Sequence, residues 1–246
     1  MANWSDPRPS AAPFGREAGA AQDAAHDAGL RSYMLSVYNY MTSGVLLTGI
    51  VALGFALSGM AAQVFQTPLR WLIVLAPLAF VFAMSFGQGK FSTGTLKAMF
   101  WGFAVAMGLS LSTVFLVYSP LAIAQAFFAT AAGFAALSLY GYTTKKDLSA
   151  FGTFLIIGLV GLIVASLINL FVQSGPLGLV ISLVGVLLFA GLTAYDTQRT
   201  KSMYFEVSRY GPDAVAKTVV MSALALYLDF INMFLFILRL FGGNRD

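Results

Sequence analysis

Seven stretches of this chain are long and apolar enough to cross a bilayer as helices, and no other feature limits its fold as strongly. A hydrocarbon core about 30 Å thick needs about 20 apolar residues per helix. The runs fall at about 33–59, 69–86, 96–117, 121–140, 150–172, 177–195 and 221–242. Composition supports the same class. The chain is 59% hydrophobic and 10% charged, whereas soluble domains carry about 25% charged residues. The sequence therefore predicts an all-α polytopic membrane protein with seven transmembrane helices. It has no cysteine, which excludes a disulfide framework and a thiolate metal site.

The first thirty residues are rich in Ala, Gly, Pro and Asp and poor in large apolar side chains. They cannot bury enough surface to fold alone and read as a flexible tail, with 31–246 as the membrane domain. Residues 22–30 can extend the first helix outward. The only histidine, His26, reads as a solvated tail residue. No signal peptide is evident. The loop GQGKFSTGT lacks the spacing and the Lys-Ser/Thr pair of a phosphate-binding loop, and reads as a flexible turn. Ser119 with Pro120, and Gly175 with Pro176, make the two shortest turns. Asp147 is placed to cap the fifth helix, and a polar loop is expected from Arg199 to Lys217. Small-residue pairs at i, i+4 (Gly54 and Ser58, Ala104 and Gly108, Ala129 and Gly133, Gly161 and Ala165) indicate close helix packing.

Basic residues set the expected orientation. With the N-terminus cytoplasmic, inside segments hold Arg8, Arg16, Arg31, Lys90, Lys97, Lys145, Lys146, Arg199, Lys201, Arg209 and Lys217. Outside segments hold only Arg70, Arg239 and Arg245. This asymmetry predicts a cytoplasmic N-terminus and an outside C-terminus. The net charge of +4 reflects these loops and not a nucleic-acid surface.

Asp229 stands near the middle of the seventh apolar run. A carboxylate at the bilayer centre costs about 2.5–3.5 kcal/mol on insertion scales. It must face the protein interior and have a partner. Between Leu30 and Lys201 the chain has only two acidic residues, Asp147 in a loop and Asp196 at the end of the sixth span. Asp196 is the candidate partner, provided the sixth helix continues past it or the seventh starts late. Ser222, Asp229 and Asn232 share one face of the seventh helix at i, i+7 and i+10. Two nearby carboxylates in a low dielectric titrate as a unit. Such a pair can share a proton, or repel and take up a hard cation such as Ca²⁺ after losing it. The alternative is a single buried Asp229, protonated and hydrogen-bonded to a backbone carbonyl.

YTTKKDLS at 142–149, YDTQ at 195–198 and ALYLDFINMFLFILRLFG at 225–242 together resemble the Bax-inhibitor family, in its bacterial form. The resemblance covers about 33–242. It implies a seventh helix enclosed by two layers of three helices, and a pH-dependent calcium leak gated by two aspartates, which match Asp196 and Asp229. Some members latch that pair with an arginine on the second helix. Here the second span has no basic residue between Trp71 and Gly89. The candidate counter-charges are Lys90, Arg199 and Lys201. The resemblance implies no cofactor, with Ca²⁺ as a permeant or weakly held ion between Asp196 and Asp229. It implies the bacterial inner membrane as location.

Two other readings compete. Bacterial relatives resemble modulators of a membrane-bound AAA protease, and eukaryotic relatives are linked to cell-death control. On that reading the chain is a non-enzymatic regulator whose tail engages the protease. The third reading is an intramembrane aspartyl protease, since Tyr195-Asp196 precedes a second aspartate on the next helix. That family's second aspartate sits in a Gly-x-Gly-Asp setting, whereas Leu226, Tyr227 and Leu228 precede Asp229 here. No other catalytic set is present, and the chain reads as no enzyme.

Overall fold

The computed structural model describes residues 14–242, with side chains from Asp27 onward. The tail readings at 1–13, the His26 side chain and Arg245 lie outside the described part. Eight helices follow in order: α1 (Phe14–Leu57), α2 (Met60–Val64), α3 (Leu69–Gly87), α4 (Thr93–Val117), α5 (Pro120–Thr143), α6 (Ser149–Val172), α7 (Gly175–Val207) and α8 (Pro212–Phe241). No strand occurs among the described residues. All but the five-residue α2 are long and apolar enough to cross a membrane, as the sequence predicts. The helix of α1 begins at Phe14, well before the expected extension at residue 22, through a segment rich in alanine.

Helix α8 is the centre. Of its most apolar window 61% is buried, against 11% for α3 and for α6. It packs against α1 and α4 on one side and α5 and α7 on the other. Beyond these, α3 packs on α4, and α6 packs on α7. The result is two layers, α1-α3-α4 and α5-α6-α7, around one post. The outer faces of α3 and α6 carry exposed Leu, Ile, Val and Phe side chains, which are the surface offered to lipid.

Lipid tails are as apolar as leucine, so close fit and hydrogen bonds hold such helices together. A β-carbon on Gly141 would collide with the Ala194 backbone of α7, and one on Gly185 would lie 2.7 Å from the Phe236 ring of α8. Of the expected small-residue pairs, Ala104 with Gly108 packs as predicted: a Gly108 β-carbon would meet the Thr48 carbonyl of α1 at 2.8 Å. Gly54, Gly133 and Gly161 face open space. The spacing marks a smooth helix face, but smoothness alone does not select a protein neighbour over lipid.

The polar loop expected at 199–217 is replaced by helix. α7 runs on to Val207, passes through one 3₁₀ turn (Ser208–Tyr210), and reverses at Gly211. Gly211 has φ +92°, open to glycine and strained for other residues, and Pro212 starts α8 with its fixed φ. The extension holds because it is not solvated all round: the Tyr204 ring packs, tilted by 37°, against that of Tyr33 of α1 with centroids 5.2 Å apart. Across the same end, the Thr93 hydroxyl of α4 donates to Asp213 at 2.5 Å, and Lys217 pairs with Asp213 at 3.3 Å. The turn expected at Gly175 lies slightly earlier, at Gln173 (φ 52°) and Ser174, whose hydroxyl caps α7 at the Leu177 N–H. Ser119 caps α5 in the same way, with Pro120 in its first turn.

Candidate functional site

Asp229 projects from α8 roughly 25 Å along from its start, because the helix begins at Pro212, nine residues before the apolar run that starts at Met221. It is 4% exposed. Asp196 lies well inside the extended α7, half-buried, on the facing side of the hairpin. The two carboxyl groups are within hydrogen-bonding reach of each other. Asp229 Oδ2 accepts from no donor among the described residues. A hydrogen bond between two carboxyl groups requires that one carry a proton, and without it two like charges face each other in a low dielectric.

The pair lies in the wall of a cavity of about 1300 Å³ bounded by α3, α6, α7 and α8. The cavity extends along α7 from Gly175 to Arg199, a rise of roughly 36 Å, comparable with the hydrocarbon core. Leu162, Ile163 and Leu78 give it a largely apolar wall, while Asp196, Asp229, Asn232 and Arg239 supply polar points along it. Asn232 donates its Nδ2 to the Leu228 carbonyl at 2.8 Å, which leaves its side-chain oxygen for the cavity.

Among the described residues no three of His, Asp and Glu are gathered in the manner of a resident metal site. The oxygen donors facing one another here are two carboxylates, with Asn232 one turn along. A hard cation such as calcium takes six to eight oxygen ligands, so this set alone would leave most of its coordination to water.

Ser222 does not join this group. Its hydroxyl lies 3.3 Å from the Tyr33 hydroxyl of α1. It shares the stripe with Asp229 but lies two turns, roughly 10 Å, nearer the hairpin turn, where the neighbouring helix is α1. Asp147, one residue before the N-cap Leu148 of α6, accepts from the Ser149 N–H at 2.9 Å, and hydrogen bonding from the Ser149 hydroxyl and then from this N–H holds its carboxyl below the usual carboxylate range.

The same loop is tied to the site by a residue that sequence reasoning passed over. Gln198 accepts from the Leu148 N–H at 2.8 Å and donates to the Lys146 carbonyl at 2.7 Å. It belongs to the YDTQ motif, and its place two residues after Asp196 is the signal that was available.

Residues 30–246 match the family described as "Inhibitor of apoptosis-promoting Bax1". The chain belongs to the Bax inhibitor family. It is 44% identical over 222 residues to an uncharacterized protein of Rickettsia prowazekii, covering 89% of this chain and 93% of the relative. It is 43% identical over 220 residues to the inner membrane protein YbhL of Escherichia coli, covering 89% and 94%. A Caulobacter vibrioides protein is 42% identical over 238 residues, covering 91% and 93%. This Bax inhibitor family member is a multi-pass integral membrane protein.

The counter-charge question separates the three candidates. Arg199 lies close enough to Asp196 for direct charge attraction, one helical turn along α7. Lys201 is directed elsewhere: its Nζ donates to the Tyr142 carbonyl of α5 at 2.9 Å and sits 4.9 Å from that residue's ring. Lys90 is exposed in the α3–α4 turn and takes no part in the cavity wall. Thus α7 itself supplies the cation beside the aspartates in this Bax inhibitor family protein.

Proposed function

We propose that the protein is a pH-sensitive cation leak, with Ca²⁺ as the favoured cargo, and that Asp196 and Asp229 are its gate. The observation that carries this reading is the contact of the two carboxyl groups in the wall of a cavity as long as the membrane is thick. With one shared proton the pair bridges α7 and α8 and closes the path. When the proton leaves, repulsion loosens the bridge and the oxygens become ligands for a passing cation. Arg199 holds Asp196 in place from the same helix and limits the negative charge when the gate is shut. Peptide hydrolysis is less well served, since buried Leu226 and Tyr227, with Leu228 at the cavity wall, crowd the backbone before Asp229. The positive-inside asymmetry supports a cytoplasmic basic end, which makes cytoplasmic pH the controlling one.

The test uses the full chain in liposomes that enclose a Ca²⁺ dye, with pH set equal on both sides. Flux rises with pH. Asp229→Asn keeps a hydrogen-bond donor toward Asp196 at every pH and flattens the profile at its low level. Flux equal to that of empty liposomes at all pH values, or an unaltered profile in Asp229→Asn and Asp196→Asn, rejects the proposal.

A further inference from the structure

A second cavity, of about 590 Å³, lies between α1 and α5 on another flank of α8. It spans Arg31 to Leu46 on α1, roughly 22 Å of rise. That is somewhat more than one leaflet of a hydrocarbon core about 30 Å thick. Its wall is largely apolar, and it opens sideways to the membrane: Leu35, Leu46 and Leu139 at its edge are 53%, 55% and 64% exposed. One end carries positive charge. Arg31 lines the cavity there and makes no ion pair among the described residues, not even with Asp27 one turn before it. Lys201 stands against Tyr142, another lining residue, and likewise has no carboxylate in ion-pair range among the described residues.

Size and chemistry choose the occupant. A helix about 10 Å across and 22 Å long fills about 1,700 Å³, so a partner helix does not fit. A non-helical peptide would leave its backbone groups unbonded against an apolar wall. A single acyl chain needs no hydrogen bonds, and lipid is the medium at the open side. Basic pockets at helix crevices near the membrane surface select anionic headgroups.

We propose that this cavity is a phospholipid site, in which one acyl chain lies between α1 and α5 and an anionic headgroup sits against Arg31, with Lys201 adding to the field. The lipid bridges the two helical layers on a flank where α1 and α5 leave a gap.

The test is native mass spectrometry of the full chain, loaded from mixed micelles with equal phosphatidylglycerol and phosphatidylcholine. The protein retains phosphatidylglycerol preferentially. Arg31→Gln, an exposed change that leaves the fold intact, lowers phosphatidylglycerol retention about fivefold, the worth of one basic residue at an anionic surface. Ala135→Trp fills the cavity from its exposed side and abolishes retention of either lipid, with an unchanged circular dichroism melt. Arg70→Gln, at the opposite end, leaves retention as it was. Equal retention of the two lipids by the unaltered protein, or undiminished phosphatidylglycerol retention in Arg31→Gln, overturns the assignment. So does full retention in folded Ala135→Trp.

Discussion

The buried hydroxyl of Tyr227 permits a prediction in which two substitutions together do less harm than one alone. Thr48 Oγ1 of α1 donates to the Ala104 carbonyl of α4 at 2.9 Å and lies 2.6 Å from the Tyr227 hydroxyl of α8. Threonine has one proton to give, so Tyr227 must be the donor in the second contact. The chain of bonds joins three helices at a point where Tyr227 is 0% exposed and its ring rests edge-on against Phe103 at 4.9 Å. Tyr227→Phe keeps the ring contacts and removes one bond, a loss of about 0.5–1.5 kcal/mol; comparable interhelical bonds in a membrane protein average about 0.6 kcal/mol. Thr48→Val strands a buried phenol hydroxyl and costs about 1–3 kcal/mol. The double variant replaces both partners with apolar groups of similar shape, and its cost falls below that of Thr48→Val alone. Unfolding free energies in mixed detergent–SDS micelles, followed by circular dichroism, give the double-mutant cycle. Strictly additive losses would refute the assigned direction of the bond and its burial.

Two further predictions concern the neighbourhood of the aspartates. Gly141→Val drives a side chain into the Ala194 backbone and toward Thr197, whose β-carbon lies 3.0 Å from the first added carbon; neither helix can yield cheaply. The variant loses at least about 1–3 kcal/mol in the same micelle assay, as overpacked sites do, while Gly133→Val, which meets open space, changes little. Asp147→Ala removes the acceptor for the Ser149 amide and speeds its hydrogen exchange, whereas Asp147→Asn, which still accepts, does not. Because the native carboxyl titrates below its ordinary value, the support it gives is complete above that value and is lost as pH falls through the lower, native one. A cap contribution that persisted below the whole carboxylate range would contradict the bond.

The site was legible in the sequence because the chain is so apolar. A carboxylate amid Leu, Tyr and Phe has to be explained, and only Asp196 was placed to meet Asp229. The long hairpin was hidden for the opposite reason. Residues 199–210 carry charges that suit water, and nothing in composition alone separates a loop from a helix that emerges from the membrane. Tyr204 against Tyr33 decides it, and that contact joins distant parts of the chain. Ser222 was misplaced because periodicity assigns a face and cannot name the neighbour at each level. Helical geometry could have settled one choice earlier. Arg199 follows Asp196 at i+3 and shares its face, while Lys201, two residues further, turns to the other side of the helix. The lipid cavity had no sequence signal, since it is a gap between two helices whose own patterns are ordinary.

The central position of α8 also fixes an order of events in the making of the protein. Six membrane helices leave the ribosome before the one they enclose. At about 5–20 residues per second, the 30 residues of α8 take roughly 1.5–6 s to appear. During that interval the earlier helices have each other and lipid, but no common centre. A chain interrupted before Pro212 has six of its seven spans and lacks its keystone. Arrival of the final span therefore supplies the post and the second aspartate together, so that an incomplete chain lacks the pair as well as its centre.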